Sequence, residues 1–385
     1  MHKLPPLALY IHFPWCAKRC PYCDFNAHTQ PDTLPQQAYI EALLKDFDAD
    51  AAWIQNRPIE AIFMGGGTPS LFDAHWLYLL LTKLQQRCTF AKNIEITLEA
   101  NPGRVDCEKL YGYFQAGINR LSLGIQSFNN TALQKLGRIH SSNQAHTAIA
   151  AAREAGFKNI NLDLMFGLPE QTLEQALLDV QTAIHQKPEH ISWYQLTLEP
   201  NTPFYRHPPL LPQEDLIAQM HIEGQNLLAQ QGFLPYEVSA FSSAHRRCQH
   251  NLNYWQFGDY LGIGAGAHSK ITLLDSHEII RCQKTRIPKD YLAAAATEPM
   301  QLRAKTQMIF EQDLIFEFML NALRLQDGCD IALFQQRTKL AKNVLDPALK
   351  IARQKELITE TAEKIIPTPL GRLFLNDLVG LFLSD

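Results

Sequence analysis

Residues 16–25 read CAKRCPYCDF and bring three cysteines, Cys16, Cys20 and Cys23, into one short loop. Thiolates at such close spacing bind zinc or an iron–sulfur cluster. A closed structural zinc site needs four ligands, and the sequence has no second motif of this kind to complete it. A 4Fe–4S cluster on three cysteines keeps one iron free of protein ligands, and that iron can bind a small molecule. The stretch therefore predicts a cluster with an open coordination position.

The composition of the whole chain is that of an ordinary globular protein. Its 385 residues are enough for two or three domains, 46% of them are hydrophobic, 19% are charged, and the net charge is −4. This balance offers no basic field for nucleic acid. The apolar runs are shorter than a bilayer span, and the first of them, LALYIHF from Leu7, is typical of a strand and not of a signal peptide. We therefore expect a cytoplasmic protein in a reducing compartment.

Six apolar, β-branched segments alternate with amphipathic helical patterns in the first part of the chain. Continuous apolar runs of this length are typical of strands buried on both faces of a parallel sheet. The segments are LALYIHF from Leu7, IEAIFMG from Ile59, NIEITLEA from Asn93, RLSLGIQ from Arg120, NINLDLMFG from Asn159 and HISWYQLTL from His190. Six β-then-α units predict right-handed crossovers and a parallel α/β sheet. Periodicity leaves two arrangements open, an open partial barrel and a doubly wound sheet.

The pattern changes after residue 232. FLPYEVSAF reads as one more strand, GIGAGAHS from Gly262 as a glycine-rich loop, and the chain after Pro299 as three helices, a hairpin and a final helix. Three helices with a hairpin resemble a winged helix, but no basic recognition face accompanies them, so we expect a packing domain. The predicted domains are a β/α core (1–240), a connecting segment (241–298) and a mostly helical, winged-helix-like domain (299–385).

The cysteine spacing, with the aromatic Tyr22 before the last thiol, resembles that of the radical S-adenosylmethionine (SAM) superfamily. The resemblance implies an open (β/α)6 partial TIM barrel, which decides against the doubly wound sheet. It also implies that Cys16, Cys20 and Cys23 hold a 4Fe–4S cluster whose vacant iron binds SAM. In that family an electron from the reduced cluster cleaves SAM, so an electron donor is an implied partner.

Further motifs sharpen this resemblance over essentially the whole chain. YIHFPWC, GGGTP, EANP, GIQSF, GRIH, DLMFGLPEQT and YQLTLEPNT follow one another as in the oxygen-independent coproporphyrinogen III oxidases and their relatives. Glu99 ends the third predicted strand, where active-site residues of such barrels lie. The resemblance implies a SAM site formed by Tyr10, Tyr22, Gly66, Gly67, Thr68, Glu99, Gln126, Arg138 and Asp163.

One position departs from the oxidases of this branch. They carry a further cysteine two residues after the third, and here that position is Phe25. Phenylalanine is typical of the haem-chaperone group of the branch. The departure predicts that this chain lacks coproporphyrinogen III oxidase activity, and it leaves open whether the cluster turns over another substrate. The resemblance to that group implies haem as cargo and respiratory haem proteins, at the membrane, as acceptors. Such acceptors would bring the chain to the inner membrane transiently.

The segment HNLNYW matches an HNxxYW motif of the same chaperone group. A histidine can ligate haem iron axially, and aromatic rings can pack on a porphyrin. We therefore expect a haem site at His250, Asn251, Tyr254 and Trp255, with His250 as the iron ligand. Two alternatives stay open: an authentic coproporphyrinogen III oxidase, and a winged-helix regulator stabilised by zinc, to which Cys248 and His250 could add ligands.

Overall fold

The computed structural model describes residues 4–383, and one large sheet organises most of them. Its twelve strands are β1 (Leu7–Phe13), β2 (Ile59–Gly66), β3 (Phe90–Ala100), β4 (Arg120–Gln126), β5 (Ile160–Phe166), β6 (His190–Gln195), β7 (Leu234–Pro235), β8 (Ala240–Ser242), β9 (Asp259–Ile263), β10 (His268–Thr272), β11 (Ile279–Lys284) and β12 (Arg303–Ile309). They lie in the order β12-β11-β10-β9-β1-β2-β3-β4-β5-β6-β8-β7. The sheet has two free edges, so it forms an open barrel and not a closed one.

Six parallel strands form the centre of this sheet, as the sequence predicts. Strands β1 to β6 pair in parallel with their neighbours in sequence order. Alternate residues of β1 face opposite sides of the sheet: Leu7, Leu9 and Ile11 pack with the helices, while Ala8 and Tyr10 face the inside of the barrel. The carboxyl ends of all six strands meet at one edge of the barrel, which is where a site is expected.

The helices connect the strands and cover the outer face of the sheet. They are α1 (Gln36–Asp50), α2 (Ala74–Gln85), α3 (Cys107–Gln115), α4 (Asn130–Lys135), α5 (Ser142–Glu154), α6 (Leu173–His185), α7 (Pro203–Arg206), α8 (Glu214–Gln230), α9 (Gln249–Trp255), α10 (Pro288–Thr297), α11 (Glu311–Ala322), α12 (Ile331–Thr338), α13 (Asp346–Gln354), α14 (Pro369–Leu373) and α15 (Leu375–Gly380). Helix α9 is an exception, because it lies on the inner face: Tyr254 packs against Ala8, Ala61 and Tyr260. No helix within residues 4–383 combines the length and the apolar character needed to cross a bilayer.

The C-terminal part has its own apolar core. Helices α11, α12 and α13 pack with a small antiparallel sheet of three strands, β13 (Cys329–Asp330), β14 (Ile358–Glu360) and β15 (Lys364–Pro367). Strands β14 and β15 form the predicted hairpin. This is the helical, winged-helix-like arrangement that the sequence predicts. The expected final helix is divided into α14 and α15 at Phe374, whose φ of −108° and ψ of 44° are not helical.

Three segments of the large sheet differ from the expectation. GIGAGAHS is a loop only in its middle, at residues 264–267: Gly262 and Ile263 end β9, a seventh parallel strand beside β1, and His268 begins β10. The segment 303–309 after Pro299 is not helical but forms the edge strand β12, which pairs with β11. The predicted strand FLPYEVSAF is two short strands, β7 and β8, because the chain turns between them.

Candidate functional site

A cavity of about 470 Å³ opens at the carboxyl ends of the parallel strands. Pockets for one small ligand are typically about 300–1,000 Å³, so this cavity has the size of a site for a single small molecule. It brings together most of the residues for which the sequence predicts a role in binding the cluster, SAM or haem. These are Cys16, Cys20, Tyr22, Cys23, Gly66, Gly67, Thr68, Glu99, Gln126, Arg138, Asp163, Asn251 and Trp255.

Three of the selected residues do not line this cavity. Tyr10 lies deeper on the inner face of β1, where its hydroxyl is 3.0 Å from His12 Nδ1. His250 lies beside it on α9, with ring centroids 6.2 Å apart. Tyr254, one turn further along α9, packs against Tyr260 at a ring-centroid distance of 5.0 Å. These three residues form a second region below the cavity.

The cysteine loop supplies three thiols to the same cavity. Thr68 Oγ1 donates to Cys16 Sγ at 3.5 Å, and the Arg138 guanidinium donates to Cys20 Sγ at 3.5 Å. Burial, together with the neighbouring Cys16 and Cys20, raises the pKa of Cys23 to about 11. A bound metal deprotonates such thiols and removes their mutual repulsion. Three thiols on one cavity wall, two of which accept hydrogen bonds, are a donor set that fits an iron–sulfur cluster.

The thiols line one cavity without being gathered around a single point. Across residues 4–383, no three His, Cys, Asp or Glu side chains stand as an assembled ligand group. Phe25, at the position of the oxidases' extra cysteine, is 58% exposed at the rim of the cavity. Its ring offers no metal ligand there.

Glycines after β2 bring the backbone close to the cysteine loop. Gly66 has a φ of +111°, and a Cβ placed on it would lie 2.4 Å from the His12 ring. A Cβ on Gly67 would lie 2.5 Å from the Trp15 carbonyl oxygen. The Gly67 amide donates to the Phe13 carbonyl, and the Thr68 amide donates to that of Trp15. Glycine is therefore required here for close packing as well as for conformation.

Two half-buried carboxyl groups, those of Glu99 and Asp163, face the cavity. Burial, with the nearby Asp163 charge, raises the pKa of Glu99 to about 8, and the Gly66 amide donates to its carboxylate at 3.1 Å. Burial also raises the pKa of Asp163, which accepts from Ser122 Oγ at 2.9 Å and from Asn161 Nδ2 at 2.8 Å. A cationic ligand beside such carboxyl groups favours their ionised form and so lowers their pKa values.

Polar side chains on β4 and β6, together with Arg138 after α4, complete the wall of the cavity. Arg138 donates to the Gly124 carbonyl at 2.7 Å, and Tyr194 donates to Gln126 Oε1 at 2.7 Å. Gln126 has a φ of +68°, which is a strained backbone conformation of the kind that concentrates at functional sites. Ser122, Ser192 and Tyr194 were not among the predicted site residues. Their alternation along β4 and β6 with buried apolar residues is the signal that could have identified them.

The region around His250 is closed. The His250 ring contacts Phe63 at a ring-centroid distance of 5.2 Å, and its side chain is 9% exposed. Burial, with the positive Arg120 nearby, lowers the pKa of His250 to about 4, so the imidazole is neutral near pH 7. Nδ1 of His250 is buried and has no hydrogen-bond partner within the described structure. A neutral imidazole with an unused nitrogen can ligate iron chemically, but access to it requires a movement.

The chain matches two families and a set of full-length relatives. The radical SAM superfamily matches residues 10–181, and the HemN C-terminal domain matches residues 310–374. A protein of Haemophilus influenzae named "Heme chaperone HemW" is 47% identical, and one of Escherichia coli with the same name is 44% identical; both alignments cover 100% of each chain. A Bacillus subtilis protein of that name is 34% identical, over 98% of this chain and 99% of its own.

The solved structure of coproporphyrinogen III oxidase (HemN) from Escherichia coli has the same fold. It superimposes with a TM-score of 0.83 at 22% identity, covering 99% of this chain and 91% of the oxidase. The radical SAM family implies a 4Fe–4S cluster and SAM. From its identity to these full-length relatives, the chain belongs to the HemW family within the radical SAM superfamily.

Proposed function

We propose that this protein is a haem chaperone, which binds a 4Fe–4S cluster, SAM and haem and transfers the haem to acceptor proteins. The observation that carries the proposal is that Asn251 and Trp255 of the HNxxYW helix line the same cavity as the three cysteines. The position of these residues supports a haem site next to the site for the cluster and SAM within the same chain. The name that the full-length relatives carry supports the same function.

Cys16, Cys20 and Cys23 would hold the cluster, whose open iron would bind the amino and carboxylate groups of SAM. When reduced, this pair of cofactors supplies radical chemistry. Arg138 stays positively charged beside Cys20 and offsets the negative charge of the thiolates. Thr68 and Arg138 donate to two of the sulfurs and keep them oriented.

The SAM molecule would lie on the remaining wall of the cavity. The ionised carboxylate of Glu99 suits the amino group of SAM, whose N–H groups would donate to it, and Asp163 suits ribose hydroxyls or the sulfonium. Tyr22 lines the cavity from the cysteine loop and packs towards Phe204, with ring centroids 6.4 Å apart, so it offers a face for adenine. Tyr10 would act from below the cavity, since its hydroxyl bonds to His12 and not to the space above.

Haem would be cargo held through His250, with Asn251, Tyr254 and Trp255 around it. We propose respiratory haem proteins as acceptors, an electron donor for the cluster, and a cytoplasmic location with transient association at the inner membrane. The proposed division is a core (1–240), a connecting segment (241–298) and a C-terminal domain (299–385). Strands of the core, of the connecting segment and of residues 303–309 share one sheet, and α9 lies on its inner face.

Anaerobic assays with reductant and SAM test this function against the oxidase alternative. We expect binding of SAM and of haem, and negligible conversion of coproporphyrinogen III to protoporphyrinogen IX. The protein should also fail to rescue a strain that lacks coproporphyrinogen oxidases. Clear product formation or rescue would assign the oxidase function instead. Zinc in place of iron in the purified protein would favour the zinc-stabilised regulator.

A further inference from the structure

Helix α9 occupies a position in which a porphyrin cannot reach His250. The imidazole is enclosed by Tyr10 and Phe63, at ring-centroid distances of 6.2 and 5.2 Å, and lies outside the cavity lining. The cavity of about 470 Å³ lies in the lower half of the range for one small ligand, and SAM is proposed to fill it. Haem must therefore be accommodated by an opening of the structure around α9.

Arg324 fastens the C-terminal end of α9. Its guanidinium carbon lies 4.4 Å from the centroid of the Trp255 ring, a distance at which a cation and an aromatic face attract each other. The same guanidinium donates to Glu237 at 3.0 Å. Glu237 is 3% exposed and lines the cavity, as does Trp255. One arginine from the C-terminal part thus holds two walls of the cavity together.

The segment after α11 carries further contacts to the same place. The Gln326 amide donates to the Tyr236 carbonyl at 3.0 Å, and Leu325 forms an antiparallel bridge with Glu237. Just beyond α9, Phe257 enters the C-terminal core and contacts Phe318 at a ring-centroid distance of 5.3 Å. Helix α9 therefore joins the barrel to the C-terminal part, and a shift of that part would move α9.

We propose that Arg324 is a positioning residue that clamps α9 in a closed state, and that haem reaches His250 after the C-terminal part releases this clamp. The proposal rests on the proposed function, since it concerns access to the haem site. If only a fraction of the molecules is open, the apparent affinity for haem equals the affinity of the open state multiplied by that fraction. Weakening the clamp therefore increases the haem affinity and the association rate, whereas general damage to the site lowers both.

The test compares Arg324→Ala with the wild type in two measurements. Hydrogen exchange of the α9 amides in the absence of haem should become about tenfold faster, since a cation–π contact and an ion pair are lost together. Haem association, followed by stopped-flow absorbance, should become several-fold faster and the apparent affinity several-fold tighter. Arg324→Lys keeps the charge for Glu237 but loses the planar stacking on Trp255. Its α9 exchange rate, haem association rate and haem affinity should therefore lie between those of the wild type and of Arg324→Ala.

Arg153→Ala is the matched control. Arg153 also donates to a carboxylate, that of Glu189, at 3.0 Å, and the exposure of its side chain is similar to that of Arg324; Glu189, unlike Glu237, does not line the cavity. It should change neither measurement. Unchanged α9 exchange in both Arg324 variants, or weaker and slower haem binding, would overturn the clamp. Absence of haem binding by the wild type would overturn the proposed function and the gating, and α9 exchange would still decide whether Arg324 fastens the helix.

Discussion

The two regions proposed to bind ligands differ in how accessible they are. At the cysteine loop, the three thiols, Glu99 and Arg138 already line one cavity. At α9, His250 is 9% exposed and Trp255 lies under Arg324. The first region needs a ligand to complete it, and the second needs a movement to open it. This difference suits the proposed role as a carrier, in which resident cofactors would stay in place while the cargo site opens and closes.

The largest expected effect is at the accessible region. Alanine at Cys16, Cys20 or Cys23 should abolish the cluster, since each is proposed to provide one of its three protein ligands. Anaerobic reconstitution of the wild type should give about four irons and four sulfides per chain. Cys88→Ala is the control, because Cys88 lies outside the cavity lining. Retention of the cluster in the triple variant would contradict the assignment.

The next effect concerns the backbone beside the cysteine loop. Gly66→Ala should destabilise the protein by about 2–4 kcal/mol, because a positive φ and a steric overlap act together. Gly117→Ala is a suitable comparison: its φ is +96°, but a Cβ there meets nothing within 4 Å. It should cost about 1 kcal/mol. Urea unfolding measures the free energy of unfolding of both variants. Equal losses of stability would show that close packing of Gly66 against His12 contributes nothing.

Glu99 should make the stability of the cofactor-free protein depend on pH. Its pKa is about 8 in the folded state and 4.5 without perturbation. Between pH 4.5 and about 8, the folded state therefore binds more protons than the unfolded state. The stabilisation that is present below pH 4.5 is lost as the pH rises through this window to about 8. Relative to the wild type, Glu99→Gln should gain about 1.4 kcal/mol per pH unit across the window. A constant difference between the two proteins in urea unfolding, from about pH 5.5 to 7.5, would contradict the raised pKa.

The smallest effect is at the wall of the cavity. Tyr194→Phe removes the hydrogen bond to Gln126, which at 2.7 Å holds the strained strand end. Loss of one such bond costs about 0.5–1.5 kcal/mol, so SAM should bind about two- to tenfold more weakly. Calorimetry measures this, and Tyr205→Phe, at an exposed tyrosine, is the control. Unchanged SAM affinity would place Gln126 outside the SAM site.

Local signals in the sequence predicted the accessible region better than the closed one. Leu7–Phe13 and Arg120–Gln126 have the predicted bounds, because apolar strand patterns are local. Glu99 faces the cavity, as its position at a strand end indicates. The burial of His250 could not be predicted in this way. It depends on packing against Tyr10 and Phe63, which are far away in sequence.

The same reason explains the strands that were not predicted. Asp259–Ile263 is short and glycine-containing, and its strand conformation is stabilised by pairing with β1. Arg303–Ile309 is largely exposed and lacks an apolar pattern, so only its pairing with β11 identifies it. Local propensity is weak in such segments, and tertiary pairing determines their structure.

The most direct test of the account is a haem titration of the cluster-loaded protein, followed anaerobically by ultraviolet–visible absorbance. The wild type should develop a Soret band while its iron–sulfur absorbance stays unchanged, because cargo and cluster occupy separate places. His250→Ala should bind haem more weakly and with a shifted Soret band, and its cluster iron should remain at the wild-type level. A His250→Ala titration that matches the wild type in both affinity and spectrum would show that α9 does not hold the haem iron.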